Sequence, residues 1–293
     1  MSRSLRPEDR DDLRTPDVSE PRPLAEHRSV SVPMDRLTLR PGHHRQPVFH
    51  RGRTYRLRES DVRALATVGT FRVVRADDLQ PMRSPRDVRT GDLRHLREAG
   101  LIDVKTVTVN RESIAVAVIT REGKSLLEAH QDRSSGRPPQ AFHAGLVKLR
   151  ELAHDAQLFR VFQSEAARIE AAGGRVERVL LDYELNREYQ TFLNRPQRAD
   201  KSDDMAAFAS AHDLPIVAGH LKLPDLRIEY EAPDGRLQHR DVELVTEHYS
   251  WAQLAEKARA GFSMYHAAGA RLRGGSARTG ATPADPHRLQ WLG

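Results

Sequence analysis

Cysteine is absent from this 293-residue chain, lysine is scarce beside arginine (6 against 41), and aromatic residues make up only 5%. Without thiols there is no disulfide, no thiolate metal site and no cysteine nucleophile, and a reducing, cytoplasmic setting is expected. No apolar run approaches the ~18 residues that span a bilayer. The first residues are charged and proline-rich where a secretory leader would be apolar, so no membrane partner is expected. An apolar fraction of 38% against 30% charged is lean for this length. Two ordinary domains fit, with part of the chain left unfolded. The arginine bias carries little weight by itself, because a GC-rich genome produces it as readily as function does.

What is present is an uneven charge. The net +6 divides into +7 over residues 1–140 (27 basic, 20 acidic) and −1 over residues 141–293 (20 basic, 21 acidic). A basic front half beside a near-neutral back half points to a polyanion partner at the front, most simply double-stranded DNA. Residues 1–54 read as a disordered Pro/Arg-rich arm, since Pro7, Pro16, Pro21, Pro23, Pro33 and Pro41 interrupt any period. The one clearly basic stretch, with Arg45, Arg51, Arg53, Arg56 and Arg58, abuts the first folded unit. It reads as a solvated linker in preference to a DNA-reaching arm.

Residues 55–132 read as three helices and a hairpin. Glu59–Val68 is stopped by Gly69, Arg75–Met82 is short, and Asp87–Ala99 ends at Gly100, after which Leu101 and Ile102 return to the core. Val104–Val109 and Ser113–Val118 flank Asn110, Arg111 and Glu112, with Ile114, Val116 and Val118 on one face of the second strand. Helix Arg121–His130 closes the unit. This order, with LRHLREAGLI leading into a two-stranded ribbon, resembles a winged helix-turn-helix domain. On the third helix Arg86, Thr90, Arg94 and Arg97 fall within roughly 80° of one another. Those four, with Lys105 and Arg111 on the wing, are the expected DNA contacts. The plainer alternative is a solvated basic helix in a protein-interaction module.

A linker at 133–141, with Ser134, Ser135, Gly136, Arg137, Pro138 and Pro139, leads to an α/β pattern over 142–270. Leu146–Ala171 is a long helix, Arg175–Leu185 a strand with Val179, Leu181, Tyr183 and Leu185 at period 2, and Ser202–His212 a helix. Leu226–Glu231 and Arg236–Thr246 form a hairpin. Trp251–Ala268 is a helix with Trp251, Leu254, Ala258, Phe262 and Tyr265 on one stripe, and residues 271–293 are a flexible tail.

If Pro233, Asp234 and Gly235 make a three-residue loop, cross-strand partners in the hairpin have numbers summing to 468. Leu226, Ile228, Tyr230, Val242 and Leu244 then share a core face, and Asp225, Arg227, Glu229, His239, Asp241 and Glu243 the other. Asp225 and Glu243 become directly opposed, their Cβ atoms about 4.5–5.5 Å apart. Two like charges so placed need a proton or a cation between them, and carboxylates with waters suit Mg²⁺. Solvated carboxylates at a strand edge are the plain alternative. Arg227 opposite Asp241 reads as a surface ion pair.

The order helix, strand, hairpin, helix, with Pro224 and Asp225 entering one strand and Glu243 in the next, resembles the PD-(D/E)xK nuclease core. With the winged helix in front, residues 55 to 270 are similar to the replication-relaxation family of plasmid and mobile-element proteins, which includes mobilisation relaxases of the MobC type. The strongest stretch is DVELVTEHYSWAQLAEKARAGFSMY. The resemblance implies an α+β or α/β chain in which Asp225 and Glu243 hold a divalent metal, possible partners among relaxosome or replication proteins, and a homodimer as one assembly. The pattern wants a lysine two residues after Glu243, where this chain has Val245. Lys257 and Lys222 are the two candidates for the missing ammonium, though each reads first as an ordinary surface lysine. Glu165 is a weaker candidate for facing the metal. His154, on the same stripe but eleven residues away and thus ~16 Å along the helix, reads as a core histidine. A tyrosine-linked relaxase mechanism through Tyr183, Tyr189, Tyr249 or Tyr265 lacks a histidine triad beside it. The other function class is a transcriptional regulator whose C-terminal domain dimerises or senses.

Overall fold

The computed structural model describes residues 36–82, 91–109, 112–134, 136–145, 149–194, 201–245 and 249–266. The chain enters the fold earlier than its proline content suggests. Leu37 and Leu39 are buried, Thr38 N–H donates to the His130 carbonyl (2.8 Å), and Leu37 bridges Gln131. Strands β1 (Gln46–His50) and β2 (Arg53–Leu57) then pair as an antiparallel hairpin. Val48, Tyr55 and Leu57 are buried beneath it. The expected arm is therefore ordered from residue 36, because the period-2 alternation on each side of Arg51 and Gly52 supplies an apolar face that its arginines obscure.

Helix α1 (Glu59–Phe71) runs through Gly69 and does not stop there. A Cβ at Gly69 would lie 3.0 Å from Phe142 and 3.2 Å from both Ile119 and Leu127, so this glycine serves close packing. Strand β3 (Val74–Arg75) and a 3₁₀ turn (Ala76–Met82) replace the expected short helix. Helix α2 (Gly91–Glu98) covers the described part of the third expected helix, and Leu101 and Ile102 follow, fully buried. Strands β4 (Ile102–Val109) and β5 (Glu112–Ile119) pair with Val109 opposite Glu112, which puts Glu112 in the strand instead of the turn. The sheet order is β3-β5-β4, and helix α3 (Arg121–Ala129) closes this part.

Helix α4 (Leu149–Ala171) is shared by both halves of the chain. Its Phe159 and Phe162 meet Phe71 of α1 at ring-centroid distances of 5.3 and 5.1 Å. Leu152 and Ala156 pack with Val73 and with the Ile114, Val116 and Val118 face of β5. One continuous apolar core consequently extends from Leu37 to Tyr265. The expected linker is also engaged. The Gln140 amide donates to the Val179 carbonyl (2.8 Å) and accepts from the Val179 N–H (2.9 Å), covering an edge strand as a neighbouring strand would. Arg137 pairs with Glu177 (2.6 Å) and Glu231 (3.3 Å).

The second sheet has the order β11-β10-β9-β6. Strand β6 (Arg175–Leu181) stops four residues short of expectation, and helix α5 (Asp182–Leu193) begins with the Glu184 carboxylate accepting from Leu181 N–H (3.2 Å). That one-sided cap, from the Glu184 carboxylate to the helix-start N–H, outweighs the period-2 pattern through Tyr183 and Leu185. Helix α6 (Lys201–Ala211) and the short pair β7 (Ile216–Val217) and β8 (His220–Leu221) come next. Strands β9 (Leu226–Glu231) and β10 (Leu237–Val245) take the expected register, Glu231 facing Leu237 and Leu226 facing Val242, with Ala232 N–H closing on the Arg236 carbonyl (2.8 Å). Leu226, Ile228, Tyr230, Val242 and Leu244 form the buried face.

The last expected helix is cut short. Helix α7 is Trp251–Arg259, and Ser263–His266 form strand β11, parallel to β10 with Tyr265 beside Leu244. Phe262 and Tyr265 satisfy a helical stripe, but β10 offers an open edge and the chain completes the sheet instead. The result is a mixed α+β fold, and no helix among the described residues is long and apolar enough to cross a membrane.

Because one core serves both halves, Phe71→Ala should lower stability by about 3–5 kcal/mol. Denaturant unfolding followed by far-UV circular dichroism and by tryptophan emission should show coincident single transitions in parent and variant; two separated transitions would contradict the shared core.

Candidate functional site

At the end of the second sheet where β6 and β10 finish and β9 begins, the 468 register carries past the last paired residues and brings Asp225 opposite Glu243. Glu243 is wholly buried. Its Oε1 receives the Lys257 ammonium at 2.8 Å and the Tyr249 hydroxyl at 2.5 Å, while Oε2 has no hydrogen-bond partner. Lys257 Nζ also donates to the Leu223 carbonyl (2.8 Å), which ties α7 to the entry of β9. Burial, then the Asp225 charge, push the Glu243 carboxyl up to about 7 against the pull of Lys257. Burial and the same two carboxylates push the Tyr249 hydroxyl upward, so it remains a donor.

Asp225 Oδ2 accepts from Leu244 N–H (2.8 Å) and meets His154 Nε2 at 3.2 Å. The other ring nitrogen of His154 lies 3.3 Å from Asp155 Oδ1, and Arg72 Nη1 is 3.5 Å from Asp155 Oδ2. Burial alone would discharge His154. Hydrogen bonds to Asp155 and Asp225 overcome it and push the imidazole up to about 10, so the ring is a cation at neutral pH. Asp182, the first residue of α5, has its carboxyl pushed up to about 6, first by partial dehydration and then by Asp225 and Asp155, although the residue keeps solvent contact.

Of the residues singled out from the sequence, Asp225, Glu243 and Lys257 come together. Lys222 pairs with Glu256 instead, and Val245 lies in an apolar cluster with Ala260, Phe262 and Met264. Glu165 does not reach the site; it is buried in the core, where it accepts from the Tyr265 hydroxyl. His154 reaches Asp225 in its place, because only the N-terminal half of α4 lies over this end of the sheet. The Arg227–Asp241 pair is buried and forked (2.7 and 2.8 Å), not a surface pair, and the same guanidinium caps the His212 and Asp213 carbonyls. Arg94, Arg97 and Lys105 are exposed on α2 and β4. Arg86, Thr90 and Arg111 lie outside the described residues. Sequence reasoning missed the site roles of His154, Asp155 and Asp182. Tyr249 was weighed only as a nucleophile, whereas it serves as a hydrogen-bond donor to Glu243. The adjacent His154–Asp155 pair on an otherwise apolar stripe was the available signal.

Among the described residues no group of three or more His, Asp or Glu side chains is arranged to hold a metal ion. Glu243 keeps one buried carboxylate oxygen without a partner, the feature an oxygen-seeking divalent cation would need, and Asp225 is near enough for its charge to raise Glu243. The chain matches no protein-family model, no curated protein and no solved structure.

The raised proton affinity of His154 makes stability depend on pH. Its folded value, about 10, exceeds the ordinary 6.5, so its contribution is fully present below about 6.5 and is lost as pH rises through 10. Urea midpoints should fall over that window by an amount corresponding to on the order of 2–4 kcal/mol, and His154→Gln should flatten the profile.

Proposed function

We propose that this chain is a DNA-binding protein of plasmid or mobile-element replication or mobilisation. In this reading a winged helix-turn-helix formed by α1, α2 and the β4–β5 ribbon selects the site, and a PD-(D/E)xK-like domain formed by α4 and the β6–β9–β10–β11 sheet acts on a phosphodiester. The observation that carries the reading is Lys257, whose ammonium sits 2.8 Å from Glu243 in the same cluster as Asp225. The cation missing at Val245 is thus supplied from α7.

Mg²⁺, when bound by Asp225 and Glu243, would polarise a phosphoryl oxygen and acidify a water. The chain supplies the rest. Lys257 places a positive charge beside the pair, where it can orient an attacking water and offset developing phosphoryl charge. His154 holds Asp225 against the strand end, and Tyr249 remains a neutral donor to Glu243. Glu243 has to be ionised to serve, and the Lys257 ammonium beside it favours that form.

A nicking assay on supercoiled plasmids carrying candidate mobile-element origins, with Mg²⁺ or Mn²⁺, tests this. Asp225→Ala, Glu243→Ala and Lys257→Met should each reduce cleavage by about 100-fold or more, with Lys257→Arg retaining part of it. One observation favours a second reading: His154 and Lys257 already balance both carboxylates without a metal. A wild-type chain that binds these origins and cleaves none would favour a regulator whose C-terminal half is a non-catalytic or dimerising platform. For the DNA-binding part, Arg94→Ala with Arg97→Ala should weaken duplex binding and lower the salt-dependence slope by about 2.

A further inference from the structure

Hairpin β1–β2 lies ahead of the helix-turn-helix elements and has a surface that folding alone does not explain. Its inner face packs through Val48, Tyr55 and Leu57, while Pro47, Phe49, Thr54 and Arg56 are turned outward. Phe49 is 75% exposed, a large apolar cost for an aromatic ring on a two-stranded ribbon. The two-residue turn, Arg51 and Gly52, has positive φ at both positions (48° and 75°). Such turns favour Asn, Asp or Gly at the first position. An arginine there accepts backbone strain and places a guanidinium at the tip, the kind of local cost that marks a functional position.

The hairpin is also joined to α2. His95 Nε2 hydrogen-bonds the Arg56 carbonyl at 2.6 Å, so the ribbon abuts the helix that exposes Arg94 and Arg97. Among the described residues no carboxylate forms an ion pair with Arg51, Arg56, Arg94 or Arg97, and Glu122, beneath the ribbon, is engaged by the Tyr55 hydroxyl (2.9 Å). Among the described residues, exposed cations without ion-pair partners on two adjoining elements, and one bare aromatic ring on the outer face of the hairpin, complement a polyanion that also offers flat apolar surface. A two-stranded ribbon has the width to enter a DNA groove.

We infer that the β1–β2 hairpin is a second DNA-contacting ribbon, continuous with the α2 surface. Arg51 and Arg56 bind backbone phosphates of double-stranded DNA, and Phe49 presses against the sugar and base edges of a groove. This rests on the DNA-binding reading above and extends its footprint to a segment that reads from sequence as a linker.

The test is fluorescence anisotropy with a labelled mixed-sequence DNA duplex and the full chain, across a salt series. The variants are Phe49→Ala, Arg51→Gly, Arg56→Ala and Arg94→Ala with Arg97→Ala. Arg51→Gly removes a charge while easing the positive-φ turn, so its thermal unfolding midpoint should not fall, and any binding loss is not a folding defect. Arg51→Gly combined with Arg56→Ala should weaken duplex binding about tenfold or more and reduce the salt slope by about 2. Phe49→Ala should weaken binding severalfold with the salt slope unchanged. Duplex binding equal to wild type in the hairpin variants, with binding lost in the α2 variant, overturns the inference and leaves the DNA-binding reading intact. A wild-type chain that binds no duplex overturns both. Hairpin variants that lose only single-stranded RNA binding also overturn it, in favour of an RNA surface.

Discussion

A carboxylate with no solvent exposure has to be protonated, matched by a cation or bound to a metal, because dehydrating a lone charge costs several kcal/mol even after relaxation. Glu243 is in that position, and much of the C-terminal half is arranged around it. Lys257 can reach it only because α7 lies across the end of the sheet, and α7 lies there because it crosses over between the parallel strands β10 and β11. The same lysine holds the Leu223 carbonyl, which positions the entry to β9 and with it Asp225. One oxygen of Glu243 is satisfied twice and the other not at all. That asymmetry distinguishes Glu243 from the carboxylate of the Arg227–Asp241 pair, in which both oxygens are engaged by one guanidinium.

The site is also tied to the front half of the molecule. Helix α4 contributes Phe159 and Phe162 to the core with α1 and, from its opposite end, His154 to Asp225. Arg72, just beyond α1, reaches Asp155, the other partner of His154. Asp225 is therefore linked, through His154, Asp155 and Arg72, to the end of α1, the helix against which α2 packs. A rigid shared core gives these units a defined relation to each other, which two domains on a flexible linker would not have.

Much of the second half was legible in the residues. Alternation around Pro233, Asp234 and Gly235 was enough to set the β9–β10 register, and the register alone brought Asp225 and Glu243 together. The ribbon of β4 and β5 and the stop at Gly100 were equally local. Other expectations failed where one pattern had two readings. Phe262 and Tyr265 fit a helical stripe and a strand; Tyr183 and Leu185 fit a strand and a helix; Gly69 looked like a terminator and is a contact. For two of these the deciding partner is remote in sequence, the open edge of β10 and the ring of Phe142; for Tyr183 and Leu185 it is the local Glu184 cap on the Leu181 N–H, set where β6 ends.

The sequence by itself determined the charge division, the hairpin register and the identity of the two carboxylates, since each follows from neighbours along one strand or from counting. Tertiary structure alone decided which cations answer those carboxylates. Lys257 and Lys222 are indistinguishable as residues, and His154 and Glu165 share one helical stripe. Which member of each pair meets the site depends on where a helix end falls over the sheet, and that placement comes from packing α4 on its face and seating α7 across its end, which no local pattern encodes.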